Sequence, residues 1–138
     1  MFKTKKIERF ISIQQVFYSN ALHEITQGQK RSHWMWYIFP QLKGLGSSLT
    51  AQQWAIENLQ EAKDYMNDPY LRANLIEITR ALLPHNRDIE YIMGYPDYLK
   101  LQSCMTLFEA AAPEVLEFGM VLEKFYNGKR CEYTLQNI

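Results

Sequence analysis

The chain has only two cysteines, Cys104 and Cys131, too few for a disulfide framework and without the spacing of a metal knuckle. Both are expected as thiols, with a Cys104–Cys131 bridge as the alternative, and a reducing, cytoplasmic setting follows. No apolar run approaches the roughly 20 residues that span a bilayer, so no membrane partner is expected. Lys3, Lys5 and Lys6 are not followed by the apolar stretch of a secretory signal and read as a solvated terminus. Charge of one sign is also missing. Lys+Arg and Asp+Glu number 15 each, so no net field draws the chain to nucleic acid.

Several chemistries lack their motifs. His23, His33 and His85 are scattered, and neither H-x-x-E-H nor C-x-x-C occurs, so no metal is expected. No G-x-S-x-G elbow displays a serine nucleophile. Gly44-Leu45-Gly46-Ser47-Ser48 has neither the Lys-Ser/Thr ending nor the preceding strand of a phosphate loop, and reads as a connection. No cofactor is implied. No window alternates apolar and polar residues for long, which leaves strands without a signal.

What is present is a chain of 138 residues, 47% hydrophobic and 14% aromatic, enough for one domain with a full core. Its apolar spacing is helical nearly throughout. Phe10, Phe17, Ala21 and Ile25 form one stripe, with Glu8, Gln15 and Glu24 off it, and Gly28 suits a left-handed helix end. Ser32 can cap a short helix that Pro40 stops at Phe39. Thr50 opens a helix running from Ala51 to about Asn67. Asp68-Pro69 starts the next, which Pro84 ends. Asp88 caps a brief helix closed by Gly94, and Asp97 caps one from Tyr98 to Ala112. Pro113 begins a helix that buries Leu116, Val121, Leu122 and Phe125 and ends at Gly128. A last turn is capped near Thr134. The expected fold is all-α, a compact single-domain bundle of about six or seven helices with a short aromatic-rich central helix.

The densest feature is His33-Trp34-Met35-Trp36-Tyr37-Ile38-Phe39. A helix apolar on nearly every side belongs inside, which places Trp34, Ile38 and Phe39 in the core. Trp36 and Tyr37 fit either the core or a pocket wall that stacks on a flat ligand. Lys30, Arg31 and His33 stand at a helix start, where free backbone N–H groups and the dipole favour an anion. The bland reading leaves the two cations in solvent. Asp97, Lys100 and Ser103 recur every three residues and share a helix face. Asp97 either caps and pairs with Lys100, or the two work as acid–base groups beside His33.

The segments KRSHWMWYIFPQLKGLGSS, AIENLQEAKDYM, GYPDYLKLQSCMTLF and FYNG followed by TL resemble the bacterial family called domain of unknown function 1810. The likeness runs from about Phe10 to Leu135. It implies an all-helical domain and supplies no activity. Two positions depart from the family pattern as we read it: Cys104 stands where a serine is usual, and Cys131 where an aspartate is usual. Members are sometimes labelled calpastatin, but that inhibitor is largely disordered and aromatic-poor, unlike this composition.

The function expected is binding of a small anionic or nucleotide-like ligand beside HWMWYIFPQL. Lys30 and Arg31 would meet the charge, and Trp36 or Tyr37 would stack. Gln41, Ser47 and Ser103 would orient the ligand, with His33, Asp97 and Lys100 as the groups for any catalysis. The alternative is a non-catalytic protein–protein interaction module whose aromatic segment is purely core.

Overall fold

The computed structural model describes residues 5–138, with side chains from Ile7 onward. Lys3 and the side chains of Lys5 and Lys6 lie outside the described residues. Nine helices are found among the described residues: α1 (Lys5–Gln27), α2 (Met35–Ile38), α3 (Leu49–Trp54), α4 (Leu59–Asn67), α5 (Pro69–Leu82), α6 (Ile89–Met93), α7 (Asp97–Ala111), α8 (Leu116–Tyr126) and α9 (Glu132–Asn137). The fold is all-α, and none of these helices is long and apolar enough to cross a membrane.

Local signals set many of the boundaries. Gly28, at φ +89°, turns the chain out of α1 as its N–H bonds the Ile25 carbonyl at 3.0 Å. Asp68 accepts the Leu71 N–H at 2.9 Å and caps α5, with Pro69 in the first turn. Gly94, at φ +82°, closes α6.

Helix α7 packs against α4, α6, α8 and α9, while α1 packs against α2, α4 and α5. On α7 every residue from Ser103 to Phe108 is buried, because neighbours enclose it on most sides. A relay of rings joins the two groups of helices: Phe17–Tyr37–Trp54–Phe10–Tyr65–Phe108–Phe118, with centroids 5.0–6.2 Å apart. Each buried ring contributes on the order of 2–3 kcal/mol by leaving water. Trp34, Ile38 and Phe39 are core residues, as their sequence context implied.

The continuous helix expected over Ala51–Asn67 is broken. Ser48, rather than Thr50, caps α3 by accepting the Ala51 N–H at 3.0 Å. The chain then straightens at 55–58. Ile56 exchanges backbone bonds with the 41–43 segment: its N–H donates to Gln41 O at 2.9 Å, and its carbonyl accepts from Lys43 N at 2.9 Å. Arg9 Nη2 donates to the freed Ala55 carbonyl at 2.9 Å, and Asn58 restarts the helix by capping α4. Pro113 likewise opens a turn instead of a helix, with Val115 N bonded to Ala112 O at 3.0 Å, so α8 begins at Leu116. Leu116, expected inside, is 71% exposed.

The tail returns to the front of the molecule. The Tyr133 hydroxyl donates to the Lys43 carbonyl at 3.0 Å and lies where a side chain on Gly44 would project. Gly44, at φ +98°, therefore combines a left-handed turn with a close approach that only a bare Cα permits.

Candidate functional site

The segment after α1, residues 28–34, forms a strap across the end of that helix. Glu24 holds it. This carboxylate, expected on the polar side of α1, is buried. It accepts from Arg31 N at 2.7 Å, Ser32 N at 3.0 Å, Trp34 Nε1 at 3.0 Å, Asn20 Nδ2 at 3.0 Å and the Ser32 hydroxyl. Burial alone would raise its pKa, but bonds from Ser32, Arg31 and Trp34 outweigh that and hold it down to about 2. An anion does sit against the backbone N–H groups of the strap, and it is the protein's own. Ser32 is thereby spent on Glu24 and does not cap α2, whose cap position is Trp34.

The strap is tied to α6 by Lys30 N, which donates to the Ile92 carbonyl at 2.7 Å. The Lys30 side chain is only 7% exposed. Its ammonium meets Asp97 Oδ2 at 2.8 Å and the Ser32 carbonyl at 2.5 Å, and lies 5.0 Å from the centroid of the Trp34 ring. Asp97 is the first residue of α7 and not its cap, since Pro96 holds that position. Its carboxylate is thus left for side chains. One turn on, Lys100 Nζ lies 3.3 Å from Asp97 Oδ1 and 3.3 Å from the Trp36 ring centroid. Side-chain exposure is 19% for Lys100 and 18% for Asp97. Burial lowers the Lys100 pKa, and Lys30 adds to that; Asp97 pulls the other way without cancelling it.

Four of the expected residues, Lys30, Trp36, Asp97 and Lys100, therefore meet. The others go elsewhere. Arg31 points to a neighbouring cavity lined also by His85 and Arg87. The His33 ring is exposed, and among the described residues no hydrogen bond or ion pair joins it to Asp97 or Lys100. The three groups named for acid–base work are not one set. Tyr37, half-buried, packs its ring on Phe17 and Trp54 and gives its hydroxyl to the His33 carbonyl at 3.0 Å, so its ring is engaged against the core. Trp36 is half-buried, and the Lys100 ammonium already covers one of its faces.

Gln41 is buried in the segment paired with Ile56, and Ser47 is exposed in the loop before α3, its carbonyl accepting Gln52 Nε2 at 3.0 Å. Ser103 does not join Asp97 and Lys100. Its hydroxyl serves the Leu99 carbonyl at 3.2 Å and Cys131 Sγ at 3.3 Å. Both cysteines are free thiols. Burial pushes Cys104 well up and makes it inert. Cys131, at the cap of α9, is also pushed up by burial, but bonds from Ser103, Thr134 and Tyr133 leave it below the ordinary value.

Sequence reasoning missed His85, Arg87 and Tyr91. Arg87 and Tyr91 are four apart, a spacing that puts them on one helical face, and they stack at 4.4 Å.

These features define an all-helical domain with a half-buried cluster of two lysines, one aspartate and an indole. The chain belongs to the protein family of unknown function DUF1810, whose model matches residues 4–138. It is similar to a solved structure, that of the conserved hypothetical protein Rv1873 from Mycobacterium tuberculosis. The two are 40% identical, the match covers 94% of each chain, and the TM-score is 0.92. Among curated proteins none matches this chain.

Proposed function

We propose that the protein binds a small anionic, nucleotide-like ligand at the edge formed by Lys30, Trp36, Asp97 and Lys100. One observation carries this reading: a single carboxylate serves two ammonium groups in a half-buried place. Lys30 has spent two of its three donors on Asp97 and Ser32 and lies beside the Trp34 ring. Lys100 has Asp97 as its one carboxylate partner, and the surplus positive charge is shielded from water on one side by the Trp36 indole. Such shielding lowers the local dielectric and strengthens attraction to an incoming anion. The half-buried Trp36 indole would supply an apolar surface for a planar group. Free thiols support a reducing, cytoplasmic setting.

The test is a thermal-shift series with AMP, ADP-ribose and small phosphorylated metabolites. A ligand at tenfold excess over its Kd raises the melting temperature by about 4 °C. Lys100→Met abolishes that rise while staying folded. A rise that survives the substitution places the ligand elsewhere and defeats the reading.

A second reading, an interaction module, is favoured by one feature. Leu116 and Met120, 71% and 50% exposed, line an apolar groove of about 720 Å³ with Leu83. Its rim carries both signs, Glu123 beside Lys124 and Arg130, and so suits a second copy of the chain. Light scattering on the native protein and on Met120→Lys decides it. A monomer in both removes this reading.

A further inference from the structure

We propose that the cavity between the strap and the segment 85–92 is a second, separate site that binds a phosphoryl group, as free phosphate or as the head of a small phosphomonoester. The first ground is the accounting of arginines. The chain has six. Arg9, Arg72, Arg80 and Arg130 each meet a glutamate, respectively Glu61, Glu114, Glu117 and Glu109. The remaining two, Arg31 and Arg87, have no carboxylate within 4.0 Å among the described residues, and both line this one cavity. No Asp or Glu lines it. Two guanidinium groups left without counter-charge at one concave place match a dianion.

The second ground is preorganisation. Arg87 stacks on the Tyr91 ring at 4.4 Å, which limits the geometries it must give up on binding. His85 forms a fixed wall. Its Nε2 lies 2.7 Å from the Ile25 carbonyl and, because a carbonyl only accepts, must carry the proton. The imidazole lies beside Gly28, where an added Cβ would come within 3.3 Å of the ring. A side chain at 28 would displace the His85 ring as well as strain the left-handed backbone.

The third ground is size and donor type. The cavity is about 240 Å³, below the roughly 300–1,000 Å³ of sites for drug-sized ligands. It admits a small head group and not a whole dinucleotide. On the strap side of the cavity the backbone N–H groups of Gly28, Gln29 and Arg31 are already used, Gly28 N on Ile25, Gln29 N and Arg31 N on Glu24. Recognition therefore falls to the forked guanidinium groups, which engage phosphate oxygens in pairs. Lys30 and Lys100 are not part of this cavity, so the proposal stands or falls apart from the reading above.

Isothermal titration of the full chain with inorganic phosphate, methyl phosphate and acetate tests it. The expected result is one phosphoryl group bound per chain, with acetate at least about tenfold weaker. Arg31→Met and Arg87→Met each weaken phosphate about tenfold or more, and Arg87→Lys weakens it less, since a point charge replaces the fork. Arg72→Met, of equal charge change but distant, leaves the titration unchanged. Tighter methyl phosphate assigns the site to monoesters, and tighter inorganic phosphate assigns it to the free ion; either supports the site. Circular dichroism confirms that each variant is folded, and if Arg31→Met is not, the two Arg87 variants decide. No heat at about 10 mM phosphate, equal binding of acetate, or affinity undiminished by the Arg87 substitutions overturns the proposal.

Discussion

Two carboxylates hold the strap after α1, and the molecule uses them in opposite ways. Glu24 is surrounded by donors from Asn20, Arg31, Ser32 and Trp34, and its charge is fully met inside the protein. Asp97 faces two ammonium groups alone. The first arrangement is closed: five donors to one acceptor residue leave nothing for a ligand to satisfy. The second is open, because one negative charge cannot neutralise two positive ones. Under the reading proposed above, the side that retains unmet charge is the one that would meet an anion, wherever the basic residues cluster in sequence.

The largest effect is expected at the closed side. Glu24→Gln replaces an acceptor-only group by an amide that must turn a donor toward other donors, at a cost of about 3 kcal/mol. A fall in melting temperature of roughly 10 °C is the expected reading by calorimetry. A loss under about 1 kcal/mol would mean the five bonds are not what fixes the strap.

Acid should reveal the same group. Its folded pKa, about 2, lies below the ordinary 4.5, so its stabilising contribution is complete above that ordinary value. The contribution fades as pH drops from 4.5 toward 2, because protonation then favours the unfolded chain. Urea titrations across that range should show a steeper decline for the native protein than for Glu24→Gln. Parallel curves would assign the acid sensitivity to other carboxylates.

Asp97→Asn comes next. It leaves the nearly buried Lys30 ammonium without its counter-charge and should cost about 1–2 kcal/mol. Lys30→Met in the same chain should recover much of the loss, because the uncompensated charge is then gone. The smallest effect on stability belongs to Lys100→Met, within about 0.5 kcal/mol. That variant sharpens the contrast: little change in melting temperature, yet loss of ligand-induced stabilisation.

What could be read in advance follows the same division between local and remote causes. Gly28, Asp68-Pro69 and Gly94 set helix ends through their own backbone preferences, so the sequence displays them. The pairing of Asp97 with Lys100 was legible because the two are three residues apart on one helix. The break at 55–58 was not, since its cause is the 41–43 segment and Arg9, partners brought by the fold. The burial of Glu24 was hidden for a related reason. Its donors come from beyond a turn, and a glutamate off the apolar stripe ordinarily faces water. Arg31 and Arg87 are 56 positions apart in the chain, so nothing local could announce that they share a cavity.

The contact between Tyr133 and the Gly44 turn has a consequence for biogenesis. The Lys43-Gly44 turn waits for a latch that the ribosome delivers 90 residues later. Until then the turn has no phenol to close over it. Co-translational maturation of this region therefore waits for α9.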